Sequence, residues 1–364
     1  MRNYIPSLNG LRALSIFSVL LVHINIQEFS NAYRVPLLGD RELGVNVFFI
    51  LSGFLITTLL LQEEKLMGAI SLKDFYLRRV FRIFPVYYVL LLVYLVLQLA
   101  GILHFKPTSW LTSLTYTKYF NWSNDWESAH LWSLSVEEHF YLIWPFIFKY
   151  FRRYRVSFAW AMILLVPILR IVYIKHPVDF MNPLTIFQKG DALMWGCIFA
   201  IYRKQIDARI SKIPFIFAGI LLLLLCLDRS ASKSMPLEIY QWTVVPFLKT
   251  TGTIGDLAVG ALILSSISRT QTVWYQLLNL SFMNYIGKLS YSLYIWQQLF
   301  FSHAVGLFGR LPLNLLLIFA VANISYYFIE KPFLRLKGRR EVRTHPASAG
   351  GGKQALSLPV ADAV

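Results

Sequence analysis

Residues 8–25 read LNGLRALSIFSVLLVHIN, and this run decides which kind of fold the chain can adopt. Its residues are mostly apolar, and its ionisable side chains are Arg12 and His23. A helix of about 17–25 mainly apolar residues crosses the hydrocarbon core of a bilayer, because a helix satisfies its own backbone hydrogen bonds. The run is too long for a signal-peptide core, lacks a small-residue cleavage site and is followed by further apolar runs. It therefore predicts a first membrane-spanning helix.

Nine further apolar runs follow, and the composition of the whole chain agrees with them. The 364 residues are 56% hydrophobic and 15% charged, whereas about 25% of the residues of a soluble domain are charged. This composition excludes a soluble globule and a disordered chain. The two cysteines, Cys197 and Cys226, lie in apolar runs, which favours packing over a disulfide. The ten runs lie at about 8–27, 43–61, 84–103, 136–151, 157–174, 190–202, 213–227, 244–266, 289–307 and 312–329. We expect an all-α fold, a polytopic integral membrane bundle of about ten transmembrane helices within residues 1–333.

The basic residues lie in clusters between the apolar runs, and the formal net charge is +16. Nucleic-acid binding requires a basic domain or a basic amphipathic face, and the sequence has neither, so we expect no nucleic-acid partner. Lys and Arg are instead enriched in the cytoplasmic loops of membrane proteins. A cytoplasmic N-terminus places most of the 35 Lys and Arg residues in cytoplasmic segments, so we expect both termini in the cytoplasm. The composition of residues 334–364, a basic stretch followed by Pro, Ala, Ser and Gly, predicts a disordered cytoplasmic tail, and we expect no fused soluble domain.

Arg12 and His23 are ionisable residues within a predicted span, where such residues are costly and usually functional. Their spacing of eleven residues places them within about 20° of one helical face and about 16 Å apart along the axis. Arg12 alone could reach the headgroups, and a lone His23 could be a satisfied interior histidine. Because the two share a face, we expect them to border one groove that runs through the bundle.

Three arginines precede the third span in the segment YLRRVFRIFPVYY: Arg78, Arg79 and Arg82. Their charge alone is typical of a cytoplasmic anchor. Arginine forks, however, match phosphate oxygens at two points, and Arg79 and Arg82 share one helical face. The segment therefore favours a site for a phosphorylated cytoplasmic ligand.

The segment SAHLWSLSVEEHFYLIWP, residues 128–145, carries two adjacent carboxylates into the fourth span. A helix places Ser133, Glu137 and Tyr141, together with His130, on one stripe. We expect Glu137 to hold the His23 imidazole and to raise its basicity, although the glutamates could also simply cap the span in water. The histidines never fall at metal-ligand spacing, and P-loop, G-x-G-x-x-G and G-x-S-x-G motifs are absent from the sequence, so we expect no metal site.

Six motifs in order carry a resemblance that covers nearly all of residues 4–333. They are Leu8-Asn-Gly-Leu-Arg12 with His23, Gly44-Val-Asn-Val-Phe-Phe-Ile-Leu-Ser-Gly-Phe54, Arg78-Arg-Val-Phe-Arg-Ile-Phe-Pro85, Leu131-Trp-Ser-Leu-Ser-Val-Glu-Glu-His-Phe-Tyr-Leu142, Gly287-Lys-Leu-Ser-Tyr-Ser-Leu-Tyr-Ile-Trp296 and Glu330-Lys-Pro332. With these motifs the chain resembles the acyltransferase 3 family of integral-membrane acyltransferases, which modify hydroxyls of surface glycans, lipid-linked sugars and some secondary metabolites.

The resemblance implies a ten-helix bundle in the bacterial cytoplasmic membrane that takes an acyl group, most commonly acetyl, from cytoplasmic acyl-CoA. The acceptor it implies is a hydroxyl of an extracytoplasmic or lipid-linked carbohydrate. It also implies that Arg12 and His23 are essential and that Arg79 and Arg82 serve the donor. The chain departs from the family pattern at Asn46, His139 and Gln297, where aspartate, glutamine and histidine are frequent.

These observations combine into one mechanistic hypothesis without a permanently bound cofactor. The phosphates of acyl-CoA rest on Arg79, Arg82 and Arg12, with Arg78 as a further candidate. His23 is the general base towards the acceptor hydroxyl, and one of three side chains supplies an oxyanion donor: Asn46, Ser52 or Ser135.

Three alternatives stay open. A covalent acyl-enzyme could form on Ser135 or Tyr141. A transporter or flippase would have the same composition, but such proteins usually contain internal repeats and broken helices, which this sequence lacks. The weakest alternative is a non-catalytic scaffold.

Overall fold

The computed structural model describes residues 7–28, 43–120, 125–175, 184–207, 245–269 and 271–336, together with Ile220 and Leu223. Within these ranges the chain is all-helical. The helices are α1 (Leu8–Glu28), α2 (Leu43–Met67), α3 (Leu72–Leu99), α4 (Pro107–Leu114), α5 (Trp126–Ala129), α6 (Leu131–Tyr150), α7 (Arg155–Lys175), α8 (Leu184–Ile201), α9 (Arg203–Asp207), α10 (Val245–Ser268), α11 (Val273–Leu278), α12 (Ser281–Phe300) and α13 (Leu313–Ser325). Short 3₁₀ segments at Arg152–Tyr154 and His303–Gly309 and a π turn at Tyr326–Glu330 complete them.

Four helical segments are long and apolar enough to cross a membrane by length and composition. They are Leu43–Met67, Leu72–Leu99, Arg152–Val172 and Leu313–Leu336, and two shorter apolar segments are Leu8–Ile24 and Gly252–Ser268. Helix α6 is not among them, and its interior carries Glu137 and Glu138. The chain is thus a helical membrane protein, while the number of ten spans stays a prediction.

Nine of the ten apolar runs coincide with described helices, and the run at 213–227 lies outside the described residues apart from the two isolated positions. Helix α3 begins at Leu72, earlier than the apolar run, because Ser71 caps it: the Ser71 hydroxyl accepts the Asp74 amide at 3.3 Å. The arginine segment therefore lies inside the helix. Helix α12 likewise begins at Ser281 and ends at Phe300, before the end of the run.

Glycines bring two pairs of helices into backbone contact. A Cβ atom on Gly53 of α2 would lie 1.9 Å from the Leu193 carbonyl oxygen of α8, and one on Gly196 would lie 2.1 Å from the Ile50 oxygen. Similarly, a Cβ on Gly287 of α12 would lie 2.0 Å from the Asn9 oxygen of α1. Small residues that allow such close approach are typical of helix packing in membranes. These contacts fix the helices α1, α2 and α12 that surround the site.

We expect Gly53→Ala to destabilise the bundle, because the new methyl group must push α2 and α8 apart. Overpacking of this kind costs about 1–3 kcal/mol. Thermal unfolding of the purified protein in detergent should show a lower melting temperature than the wild type. The matched control is Gly252→Ala, where the added Cβ meets its nearest atom, on Arg170, at an ordinary 3.6 Å. Equal melting of Gly53→Ala and Gly252→Ala would show that the close contact is not needed.

Candidate functional site

A cavity with about 720 Å³ of empty space lies between five helices of the bundle. Its polar lining combines three arginines, one glutamate, three serines and three tyrosines, and apolar side chains of α2, α3 and α6 complete the wall. The lining residues are Arg12, Val45, Phe48, Phe49, Ser52, Leu55, Arg79, Arg82, Ile83, Ser133, Leu134, Glu137, Tyr141, Ser290, Tyr291 and Tyr294.

The arginines of the cavity form no salt bridge within the described residues. Neither Arg12, Arg79 nor Arg82 makes a hydrogen bond or a salt bridge to a described residue, and Nε of Arg79 is buried without a partner. The Arg79 guanidinium instead lies 5.5 Å from the centre of the Phe75 ring and 5.1 Å from that of Tyr141. Arg79 and Arg82 are only 7% and 8% exposed. Two aromatic faces therefore hold one guanidinium in place without neutralising it.

Glu137 is the carboxylate of the cavity lining, and it is already bound by neighbouring hydroxyls. Ser52 of α2 donates to Glu137 Oε1 at 2.6 Å, and the Tyr141 hydroxyl donates to Ser52 Oγ at 3.1 Å. The predicted stripe on α6 is confirmed for Ser133, Glu137 and Tyr141, which all face the cavity. Three guanidiniums face one carboxylate there, so the described lining has an excess of positive charge.

Four of the predicted site residues are not among the lining residues of this cavity: Arg78, Asn46, Ser135 and His23. Arg78 points to the C-terminal part of α2, where its Nη2 lies 2.9 Å from Glu63 Oε2. Asn46 lies on another face of α2, between Lys189 and Asp256. The Ser135 hydroxyl donates to the Leu131 carbonyl of its own helix at 2.9 Å. Asn46 and Ser135 are therefore not placed to donate to an oxyanion in the cavity.

His23 lies beyond the cavity, at the far end of α1. Its Nδ1 atom lies 2.8 Å from the Val19 carbonyl oxygen. Because a carbonyl can only accept, Nδ1 carries the proton in the neutral ring, and Nε2 carries the lone pair. The ring stacks on Phe301 at 5.7 Å and meets the Trp126 ring edge-on at 5.9 Å. Proton abstraction by His23 would therefore occur at Nε2.

The expectation that Arg12 and His23 border one continuous cavity stays a prediction. Arg12 lines the cavity, whereas His23 is not among the lining residues. Tyr294 does line it, and its hydroxyl is 2.5 Å from Ser133 Oγ and donates to the His130 carbonyl oxygen at 3.1 Å. Phe301, which stacks on His23, follows Tyr294 by seven residues, or about 10 Å along a helix axis. The hydrogen bond that the Glu137 carboxylate accepts comes from Ser52 instead of the expected His23.

A second buried polar cluster joins α2, α7, α8 and α10, and the sequence analysis did not identify it. Arg170 forms a salt bridge with Asp191, and the Thr253 hydroxyl donates to Asp191 Oδ2 at 2.5 Å. Lys189 Nζ donates to Asn46 Oδ1 at 2.8 Å, and Asn46 Nδ2 donates to Asp256 Oδ1 at 2.9 Å.

The signal for this cluster was present in the sequence, because its charged members lie within or beside predicted spans. They are Arg170, Lys189, Asp191 and Asp256. Two positive and two negative groups offset each other, which is typical of a structural network. No group of three potential metal ligands lies together in the part of the chain that the structure describes. Cys197 is buried as a free thiol, and Cys226 lies outside the described residues.

Comparison with known proteins agrees with this architecture. A family model described as an acyltransferase domain, acyltransferase 3, matches residues 5–329. The chain belongs to the acyltransferase 3 family. No solved structure matches the chain.

Curated acyltransferase 3 relatives are similar over nearly the whole chain. A putative O-acetyltransferase of Staphylococcus aureus (strain COL) is 27% identical, over 94% of this chain and 59% of the relative. The peptidoglycan O-acetyltransferase OatA of Listeria monocytogenes is 26% identical, over 91% of this chain and 56% of the relative. The putative peptidoglycan O-acetyltransferase YrhL of Bacillus subtilis is 26% identical, over 93% of this chain and 56% of the relative. The chain thus spans less than two thirds of the length of these relatives.

His139 and Gln297, the other two departures from the acyltransferase 3 pattern, lie outside the cavity lining like Asn46. His139 Nδ1 lies 2.6 Å from the Ser135 carbonyl oxygen, and its Nε2 lies 3.5 Å from the Tyr119 hydroxyl. Gln297 is fully buried, and both of its amide atoms lack a hydrogen-bond partner among the described residues. Neither side chain lines the cavity, so the structure gives neither of them a place in the chemistry there.

Proposed function

We propose that the protein is a membrane O-acyltransferase that moves an acyl group, most simply acetyl, from acyl-CoA to a hydroxyl of a carbohydrate. The observation that carries this proposal is the cavity in which three guanidiniums face a single lining carboxylate and none of them forms a salt bridge to a described residue. An isolated buried charge costs several kcal/mol unless a partner compensates it. A cavity with this charge therefore suits an anionic ligand, and family membership points to an acyl donor.

Acyl-CoA has the chemistry that these arginines can bind. Its pyrophosphate and its 3′-phosphate present oxygen pairs to which guanidinium forks donate two parallel hydrogen bonds. Arg79 and Arg82 lie one helical turn apart on α3, and Arg12 faces them from α1. The pantetheine arm would then extend along the apolar wall of α2 towards Tyr294.

His23 would perform the chemistry at the other end of α1. Its Nε2 takes the proton of the acceptor hydroxyl while the hydroxyl oxygen attacks the thioester carbonyl carbon. When the tetrahedral intermediate collapses, the carbon–sulfur bond breaks and the CoA sulfur takes the proton from the imidazolium. Ser52 stays a candidate donor within the cavity. Because His23 is not among the lining residues, the thioester must extend past Tyr294 to meet it.

The proposed arrangement also has a direction. We place the donor on the cytoplasmic side, near the arginines, and the carbohydrate on the outer side, near His23, with both termini of the bundle in the cytoplasm. The membrane is then the bacterial cytoplasmic membrane, and the acceptor is an extracytoplasmic or lipid-linked glycan. The relatives named as peptidoglycan O-acetyltransferases support a glycan of the cell wall.

Purified protein in detergent, without any gradient, tests the proposal. We expect it to transfer the labelled acetyl group of acetyl-CoA to tetra-N-acetylglucosamine as an alkali-labile ester. A transporter without acyl-transfer chemistry would leave the sugar unlabelled. Label that appears on the protein when the sugar is omitted would support the covalent route instead of direct transfer.

A further inference from the structure

We propose that Trp126 forms the binding surface for the carbohydrate acceptor, next to His23. This inference rests on the proposed function and adds a place and a chemistry for the second substrate. It is carried by the position of the Trp126 indole, by its exposure and by the way in which the short helix α5 is fixed.

Two aromatic rings flank the His23 imidazole. Phe301 covers one face in a nearly parallel stack, with 19° between the ring planes, and Phe301 itself is 2% exposed. The Trp126 ring lies edge-on to the imidazole at 5.9 Å, and Trp126 is 37% exposed. Of these two rings, the indole is therefore the one with surface left for a ligand at His23.

The short distance between the two rings brings a substrate at His23 close to the indole. A hydroxyl that gives its proton to Nε2 must lie within about 3 Å of this atom. Nδ1 of the same ring is held by the Val19 carbonyl, so Nε2 points away from that carbonyl. A sugar ring that carries the reacting hydroxyl then extends over the space beside Trp126. The apolar C–H face of a pyranose packs well on an indole, which is a large and rigid aromatic surface.

The backbone of α5 is fixed on three sides, so the indole is preorganised. Gln298 of α12 donates to the Trp126 carbonyl oxygen at 2.7 Å. Tyr94 of α3 donates to the Glu127 carbonyl oxygen at 2.7 Å, and the Ser302 hydroxyl donates to Glu127 Oε1 at 2.6 Å. Asp125, which precedes Trp126, accepts from Lys118 Nζ at 2.9 Å. Fixing a binding surface before the ligand arrives lowers the entropy lost on binding.

The neighbours of Trp126 argue against a role as a simple lipid anchor. Tryptophan is common at membrane interfaces, but Trp126 lies between Asp125 and Glu127, and Ser128 follows. Ionisable side chains are costly in the hydrocarbon core, so the two carboxylates that flank Trp126 disfavour a position of the indole deep in the lipid. Trp160 on α7 is a suitable contrast, because it is equally exposed, at 39%, and packs against Trp195 instead of a histidine.

Titration of purified protein in nanodiscs with tetra-N-acetylglucosamine, without any acyl donor, tests the inference. We expect Trp126→Ala to weaken sugar binding by about tenfold or more, and Trp126→Phe to retain most of the affinity. Trp160→Ala should bind the sugar like the wild type, and all three variants should bind acetyl-CoA unchanged. In the transfer assay, the KM for the sugar should rise for Trp126→Ala while the KM for acetyl-CoA stays constant.

Wild-type affinity in Trp126→Ala, or no saturable sugar binding by the wild type, would overturn the inference. Its failure can be told from failure of the proposed function. Transfer to the sugar with an unchanged KM in Trp126→Ala would leave the acyltransferase function intact and remove the binding surface. Sugar binding that depends on Trp126, without any acetyl transfer, would support the binding surface and contradict the acyltransferase function.

Discussion

Replacing His23 with alanine is expected to lower acetyl transfer by about 10²–10⁴-fold, the usual contribution of a positioned general base. The Val19 carbonyl fixes the proton on Nδ1 and leaves Nε2 as the proton acceptor. His23 lies beyond the cavity, so acetyl-CoA binding should be unchanged. Single-turnover transfer and a separate acetyl-CoA titration measure the two quantities independently.

Two further variants separate chemistry from folding. His23→Gln should be as slow as His23→Ala, because an amide fills similar space but does not take up a proton. His104→Ala is the matched control, since His104 lies exposed in the loop after α3, and it should transfer at the wild-type rate. A transfer rate of His23→Ala within a few-fold of the wild type would remove His23 from the mechanism.

The helical stripes could be predicted from the sequence, because spacing alone decides which residues share a face. Ser133, Glu137 and Tyr141 recur every four residues or so, and the structure places all three in the cavity. Spacing does not decide what a face packs against. Asn46 lies one residue from Val45, which lines the cavity, yet Asn46 contacts α8 and α10.

The extent of the cavity could not be predicted, because it depends on contacts between α6 and α12. Arg12 and His23 share a face of α1, but the sequence does not say that Tyr294 and Ser133 meet between them. The cluster of Arg170 and Asp191 was missed for a different reason. Ionisable residues in spans need partners, but Arg170 and Asp191 each lie close to an end of an apolar run, where a charged side chain can also reach the headgroups.

Replacing Arg79 with alanine is expected to weaken acetyl-CoA binding by about 2–5 kcal/mol, which is about 30-fold or more in Kd. Arg79 lines the cavity, and its guanidinium lies between two aromatic rings without a described hydrogen bond. The acetyl-CoA affinity of Arg79→Lys should lie between those of the wild type and Arg79→Ala, since lysine keeps the charge but lacks the planar fork. Direct titration with acetyl-CoA measures all three proteins.

Arg78→Ala is the matched control, because Arg78 is the preceding residue and pairs with Glu63 outside the cavity. We expect it to bind acetyl-CoA with nearly wild-type affinity. A loss of acetyl-CoA affinity in Arg78→Ala as large as that in Arg79→Ala would mean that acetyl-CoA binds to a diffuse basic surface and not in the cavity.

The stability of Arg79→Ala gives a second and independent readout. Removing one member of a buried ion pair is strongly destabilising, but Arg79 has no such partner among the described residues. The variant should therefore melt at the same temperature as the wild type or above it. A guanidinium that lowers stability while it raises ligand affinity is typical of a binding site.

Acetylpantetheine decides whether the arginine acts on the phosphates, because this donor has the thioester but lacks the adenosine phosphates. If Arg79 binds phosphate, wild type and Arg79→Ala should use acetylpantetheine equally slowly, and the difference between them should appear only with acetyl-CoA. The two changes, in the protein and in the donor, then form a double-mutant cycle with a large coupling energy. An equal loss with both donors would instead place Arg79 at the thioester, and the cavity would hold the reacting end of the donor.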